Sequence, residues 1–400
     1  MLQPRSRALV ALLGALTGLT ALSIDMSLPA LPTLTVVLGA SPDQAALTLS
    51  MFLAGYSVSQ LFYGPFADRY GRRPPLLVGL VLFAAGGLGC ALSFSIGQLI
   101  AWRLLQGVGA CAGPILARAV VRDLYDRARG VQVLSYMTLV MSVAPLFAPI
   151  LGGYLLKLHW RAIFALLAAV GVAGLVATWA GLPESIQTRN QRATRPAELL
   201  RNLLDFFSRR TCVGYALVGC FVFCGLFSYI SASPFVLIEV FGVPSDRYGY
   251  VFGLSAFALM AGALLNTRLV HRVTPAFILR LGIGLVLAGG VTMLACVSLH
   301  LGGVAGIVGP VLLFVTGMGL VMPNAVAAAM EPVPHMAGFA SSLIGCLQTA
   351  GGSLTGYLVS AFYNHTALPM AVSVCVSAAL AAITYFVFLA RPDTRAPHTA

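Results

Sequence analysis

The first group in this chain that could do chemistry is a carboxylate, Asp25, in the stretch "TALSIDMSLPALP". No acidic residue precedes it and the next is Asp43, so it stands alone at the end of a long uncharged run. A second deep charge, Arg103, opens the stretch "RLLQGVGACAG". Arg118 and Arg280 also fall inside apolar runs, but about one turn from an end, where a long side chain can snorkel to the interface. Charges in apolar surroundings are costly, and an isolated one is a functional candidate by default. The chemistry Asp25 offers is the binding and release of a proton, with Arg103 as a cationic partner.

The elements that must position these groups are membrane helices. Of the 400 residues, 59% are hydrophobic and 9% are charged. A soluble domain carries about 25% charged residues, so this surface has to face lipid. Ala8 to Leu28 alone exceeds the roughly 20 apolar residues that cross a bilayer. Arg5 and Arg7 precede this run as in a signal peptide, but the run is too long and lacks an A-x-A site, so a retained helix is expected.

Twelve such runs are expected, at 8–30, 45–67, 75–94, 98–121, 130–156, 162–182, 212–238, 248–267, 276–298, 302–324, 336–359 and 366–390. They are too long and continuous for barrel strands, which predicts an all-α polytopic membrane protein.

Arginines set the orientation. They crowd the N-terminal tail, the loops after spans 2, 4, 6 and 8, and the C-terminal tail; the other loops hold only Lys157, Arg161 and Arg247. Both termini are therefore expected in the cytoplasm. The net charge of +12 is then a topology signal, and no nucleic-acid partner is implied. The polar stretch 183–211 divides six spans from six, with a short surface helix expected near 197–207. The domains read as 1–182, a linker 183–211, and 212–400 with a short cytoplasmic tail. "GGYL" at 152–155 echoes "TGYL" at 355–358, His159 echoes His365, and Ser233–Pro234 echoes the proline at 29. An internal repeat of this kind is the architecture of many secondary transporters.

Span 1 runs outward and span 4 inward, which places Asp25 and Arg103 both roughly 10 Å below the outer surface. Opposite charges at equal depth suggest a pair or a shared cavity. Gly14, Gly18, Ala21 and Asp25 share one face of span 1, and Gln106, Gly107 and Ala110 share the face of Arg103. Small residues let helices approach closely, so Asp25 is expected to point into the bundle. Pro29 and Pro32 read as the outer end of helix 1.

Three motifs resemble signatures of the major facilitator superfamily. "GPFADRYGRRP" (Gly64 to Pro74) is similar to its G-x-x-x-D-R-x-G-R-[RK] loop. Gly64 and Gly71 would allow the tight turn. The resemblance implies a latch between the halves through Asp68 and Arg72, with Asp123 as the further acidic partner. The stretch from Arg103 resembles the R-x-x-Q-G-x-G motif of span 4. "APLFAPILGG" (Ala144 to Gly153) resembles the antiporter motif of span 5; Pro149, Gly152 and Gly153 match it, and alanine replaces glycine at 144 and 148.

"SIDMSLPALP", "FSYISASPFVLIE" and "PHMAGFASSL" extend the likeness to the bicyclomycin-resistance (Bcr/CflA) group of bacterial drug/proton antiporters, over about 20–390. That resemblance implies two six-helix bundles in the bacterial inner membrane. It also implies proton-coupled efflux of antibiotics such as bicyclomycin- or phenicol-type compounds. The protein would be a monomer that uses the proton gradient and no cofactor. The corresponding loop of the second half, "NTRLVHR", has Arg268 where Asp68 stands, so no latch role is expected there.

Tyr56, Gln60, Gln106, Tyr229, Asn324 and Gln348 are polar or amphipathic residues within apolar spans. They are candidates for the substrate cavity, although each could instead bond a neighbouring helix. The eight cysteines lack metal-ligand spacing and read as small buried hydrophobes. No G-x-x-x-x-G-K-[ST] motif is present and no nucleophile–base constellation stands out, so neither ATP hydrolysis nor another enzymatic activity is expected. Two alternatives keep the membrane architecture: a metabolite or proton-independent transporter, and a non-transporting receptor.

Overall fold

The computed structural model describes residues 6–186, 189, 191 and 194–389, and within them every element is helical. The expectations for Arg5, Arg192, the Arg127 side chain and the tail from 390 fall outside the described structure. Span 1 is α1 (Arg7–Asp25), a short 3-10 turn and α2 (Leu31–Val37). Spans 2 and 3 are α3 (Pro42–Tyr70) and α4 (Arg73–Ala91), and span 4 is α5 (Ile96–Ala110) continued by α6 (Ala112–Leu124). Spans 5 and 6 are α7 (Arg127–Leu158) and α8 (Trp160–Gly181), followed by a linker helix, α9 (Pro196–Ser208). The second half contains α10 (Arg210–Pro234), α11 (Ser245–Leu269), α12 (Pro275–Ser298), α13 (Ala305–Met330), α14 (Ala337–Ala361) and α15 (Leu368–Thr384).

With α1–α2 and α5–α6 each taken as one span, eleven of these runs among the described residues are long and apolar enough to cross a membrane. The twelfth, α14, is equally long but more polar, and its polar groups are turned onto neighbouring helices. Ser353 Oγ donates to the Ser50 carbonyl on α3 at 2.7 Å, and Thr349 Oγ1 accepts from Gln60 Nε2 at 3.1 Å. A span can carry such groups when another helix satisfies them.

One expectation is corrected at the end of helix 1. Pro29 and Pro32 do not terminate it; they occupy the first turns of the 3-10 segment and of α2, and the helical path continues to Val37. A proline at a first helical turn loses no hydrogen bond, because that N–H has no intrahelical partner. Asp25 therefore sits at a break within the span, deeper than its distance from Pro29 suggests. Span 7 has a matching irregularity, since Pro234 is followed by a π-helical stretch, Phe235–Val240. Broken helices at equivalent places in two halves are a recurrent feature of transporter folds.

The internal repeat also appears in packing. Gly152 on α7 lies against the backbone of Met26 in span 1, while Gly356 on α14 lies against Phe227 and Ser231 in span 7. The halves meet along two seams, α3 with α14 and α7 with α11. Ser57 Oγ crosses the first to the Cys346 carbonyl at 2.9 Å. Span 4 is among the most buried, whereas α8 presents Val172, Val176 and Trp179 outward, as lipid-facing helices do.

Candidate functional site

Asp25 is 5% exposed, at the last residue of α1, and among the described residues no hydrogen bond or ion pair reaches its carboxyl group. The turn just beyond it, Leu28–Ala30, packs against α10 and α11 of the second half. There Tyr248 of α11 shares a 2.8 Å hydrogen bond with Ser233 of α10 and stacks on Phe252, which stacks in turn on Tyr229. The break that holds Asp25 is therefore packed across the domain boundary on helices that carry an aromatic layer. Tyr248 and Phe252 carry no sequence signal that separates them from the other aromatics of apolar spans.

The expected Asp25–Arg103 pair does not form. Arg103 is fully buried, and its guanidinium donates to Ser23 Oγ at 3.0 Å, to the Ser23 carbonyl at 3.3 Å, to Ser27 Oγ at 3.4 Å and to Gln106 Oε1 at 2.9 Å. Its carbon also lies 4.4 Å from the centre of the Phe52 ring. The cause is helical azimuth. Ser23 and Ser27 are four apart and share a face, while Asp25 lies two residues on, about 200° around the helix. Equal depth left that angle open. Arg103 thus ties span 4 to the segment on both sides of the break, and Asp25 is turned away from it.

The antiporter-like stretch supports the same break from behind. A Cβ on Gly152 would collide with the Met26 carbonyl, so only glycine allows α7 to pack there. Gly153 lies against Ser245 and Asp246, and Gly249 of α11 lies against Pro149 and Ile150. Beyond this contact Lys157 Nζ pairs with Asp246 Oδ2 at 2.7 Å, and the Tyr154 and Tyr250 hydroxyls meet at 3.2 Å. The arginine-poor ends of α7 and α11 are thereby held together.

The six cavity candidates separate by partner. Gln106 is engaged by Arg103, and Asn324 Nδ2 donates to Asn266 Oδ1 at 2.7 Å, joining α13 to α11. Gln60 bridges the halves through Thr349. Tyr229 is buried in the aromatic layer, and the buried Gln348 Nε2 has no hydrogen-bond partner among the described residues. Tyr56 is half-buried on α3.

The loop after span 2 gathers Asp68, Arg72 and Asp123. Arg72 bonds Asp68 Oδ1 at 2.5 Å through one nitrogen and Asp123 Oδ2 at 2.9 Å through Nε, and Ser185 Oγ donates to the same Asp123 oxygen at 3.0 Å. Burial opposes charge on Arg72, but the hydrogen bonds to Asp123 and Asp68 outweigh it and hold its pKa above the ordinary guanidinium value. Glu184 receives the backbone N–H groups of Arg72 and Arg73, and Gly71 turns the chain at φ 103°.

Asp68, Arg72 and Asp123 lie in the first half and Glu184 and Ser185 at the start of the linker just after span 6, so in this conformation the cluster clamps the ends of spans 2, 3, 4 and 6 to one another. Gly64 has no part in the turn. It is inside α3, and a Cβ there would meet nothing within 4 Å. Asp123→Asn is expected to destabilise the detergent-purified protein by about 1–3 kcal/mol, since the acceptor shared by Arg72 and Ser185 loses its charge. Asp68→Asn, at a more exposed site, should cost less; thermal unfolding of the two variants side by side checks the order.

The Major Facilitator Superfamily family model matches residues 13–356. Over 386 residues the chain is 34% identical to the bicyclomycin resistance protein homolog of Haemophilus influenzae, covering 95% of each. It is 29% identical to the multidrug resistance protein MdtL of Escherichia coli over 96% of each chain. Among solved structures it is similar to the partially occluded inward-open xylose transporter XylE from E. coli, with a TM-score of 0.72, 15% identity, and coverage of 96% of this chain and 97% of that one. It is also similar to the inward-facing bacterial homolog of the human lysosomal transporter Spinster, with a TM-score of 0.70, 17% identity, and 96% and 98% coverage.

Proposed function

The chain belongs to the Major Facilitator Superfamily, in its bicyclomycin-resistance group, and from that premise we propose that it exports small-molecule drugs in exchange for protons. It is a transporter and not an enzyme. The observation that carries the antiport reading is Asp25, a buried carboxyl group with no hydrogen-bond or ion-pair partner among the described residues, at a helix break packed against the other half. Such a group changes its proton occupancy when the path to it opens from a different side.

In the proposed cycle, the seam of α7 and α11 parts on the outer side and a proton reaches Asp25. The halves then rock about the cavity, the outer seam closes and the inner side opens. Drug entering from the cytoplasm displaces the proton inward, so occupancy by one opposes occupancy by the other. Arg103 is a positioning residue here: it holds Ser23 and Ser27 and so sets the direction in which Asp25 points. Following the arginine distribution, both termini lie in the cytoplasm of a bacterial inner membrane, and the protein works as a monomer on the proton gradient without a cofactor. Bicyclomycin- and phenicol-type antibiotics are the first substrates to test, given the resistance protein to which the chain is similar.

Everted vesicles from a pump-deleted host test the reading directly. Energised vesicles should accumulate drug, and an uncoupler should abolish the accumulation. Flux that an uncoupler leaves unchanged would point to the proton-independent transporter instead.

A further inference from the structure

The chain carries 24 basic side chains of lysine or arginine, and Lys157 is the only lysine among them. It stands at the arginine-poor, outer end of α7, and its Nζ lies 2.7 Å from Oδ2 of Asp246 at the start of α11. The bond therefore joins the two halves. No other ion pair between described residues does so.

The packing beneath the pair is close. One turn deeper the Tyr154 and Tyr250 hydroxyls meet at 3.2 Å. Gly153 lies on the backbone of Ser245 and Asp246, and Gly249 on that of Pro149 and Ile150. The two helices touch main chain to main chain here, so the seam cannot open while the ion pair holds. Above this contact the pair borders an open crevice of about 490 Å³, which Thr33, Val37 and Trp160 also line. The side chains of Lys157 and Asp246 are 57% and 30% exposed, so water reaches both charges. Each charge recovers its hydration when the pair separates, and such a pair contributes little to the stability of the fold. The choice of lysine fits a bond that is broken and remade. An arginine could grip the carboxylate with two parallel hydrogen bonds, whereas a lysine ammonium is a compact, strongly hydrated point charge.

We propose that Lys157 and Asp246 form a reversible ionic lock on the outer side, which biases the two halves toward the outer-closed state and parts each time the α7–α11 seam opens. The lock rests on the alternating access of the export reading, and on neither the identity of the drug nor the route of the proton. Removing one exposed ion pair shifts a two-state equilibrium by up to about fivefold.

Hydrogen–deuterium exchange of the purified full-length protein, followed by mass spectrometry, reads both sides of the molecule at once. Lys157→Gln and Asp246→Asn should each speed exchange at the outer ends of α7 and α11 by about two- to fivefold, and slow it at their inner ends. The double variant should match either single one, because both remove the same bond. Exchanging the charges, Lys157→Asp with Asp246→Lys, should return the pattern toward wild type. Lys157→Arg should move both sides in the opposite direction, since its grip is firmer. Faster exchange at the outer ends with no slowing at the inner ends would mark a local contact and overturn the lock. Unchanged exchange in the single variants, or effects that add in the double variant, would overturn it too. Drug flux in everted vesicles is a separate readout: the reciprocal shift in a protein that moves no drug would support the lock and count against export alone.

Discussion

Asp25→Asn is expected to abolish uncoupler-sensitive drug accumulation in everted vesicles, a fall of about two orders of magnitude on loss of the proposed proton carrier. The amide matches the carboxyl group in shape but neither takes up nor releases a proton at physiological pH. Because no hydrogen bond or ion pair among the described residues reaches the Asp25 carboxyl group, its replacement leaves none of their donors unsatisfied. Burying an amide also costs less than burying a charge. The variant should therefore fold at least as well as wild type, and its thermal midpoint in detergent should be equal or higher. A variant that is stable and binds drug, but does not move it against a gradient, is the expected phenotype. Retained accumulation would mean that the proton travels by another group.

The second large effect is expected from Gly152→Ala, a change of one methyl group. The added Cβ would lie on the Met26 carbonyl, next to Asp25, and that backbone is held from the other side by Arg103 through Ser23 and Ser27. Neither helix can yield without moving the break. Overpacking of this kind costs about 1–3 kcal/mol, and transport should fall more steeply than stability, because the displaced group is the proposed proton carrier. Gly284→Ala on α12 is the control. A Cβ there meets nothing within 4 Å, and alanine is the better helix former, so a small gain in stability is expected. Vesicle transport and thermal unfolding of both variants check the contrast.

The helices were legible because their signal is additive: twelve long apolar runs survive any single misplaced residue. The end of helix 1 was not, since a proline that starts a new helical turn reads in sequence like one that ends the old. Asp25 and Arg103 are both buried charges within apolar spans, and counting residues from the expected span ends put them at equal depth. Their pairing was misjudged because depth says nothing about azimuth. The spacing of Ser23 and Ser27 held that information, since hydroxyls four residues apart make a two-point acceptor for a guanidinium.

Motif resemblance located the cluster of Asp68, Arg72 and Asp123, but it could not say that Gly64 lies idle in a helix or that Glu184 and Ser185 complete the clamp. Those two residues lie just after span 6; Glu184 is 112 positions from Arg72, and Ser185 is 62 from Asp123. The aromatic layer was illegible for a different reason. Phenylalanine and tyrosine in apolar runs carry no mark of the neighbour they face.

Proton release on drug binding tests the central claim most directly. Purified wild-type protein in weakly buffered detergent solution should acidify the medium when drug is added, with a pH dependence that follows one carboxyl group. Asp25→Asn should bind the same drug with no release. Equal release from the variant, or drug binding to wild type without any release, would contradict the account.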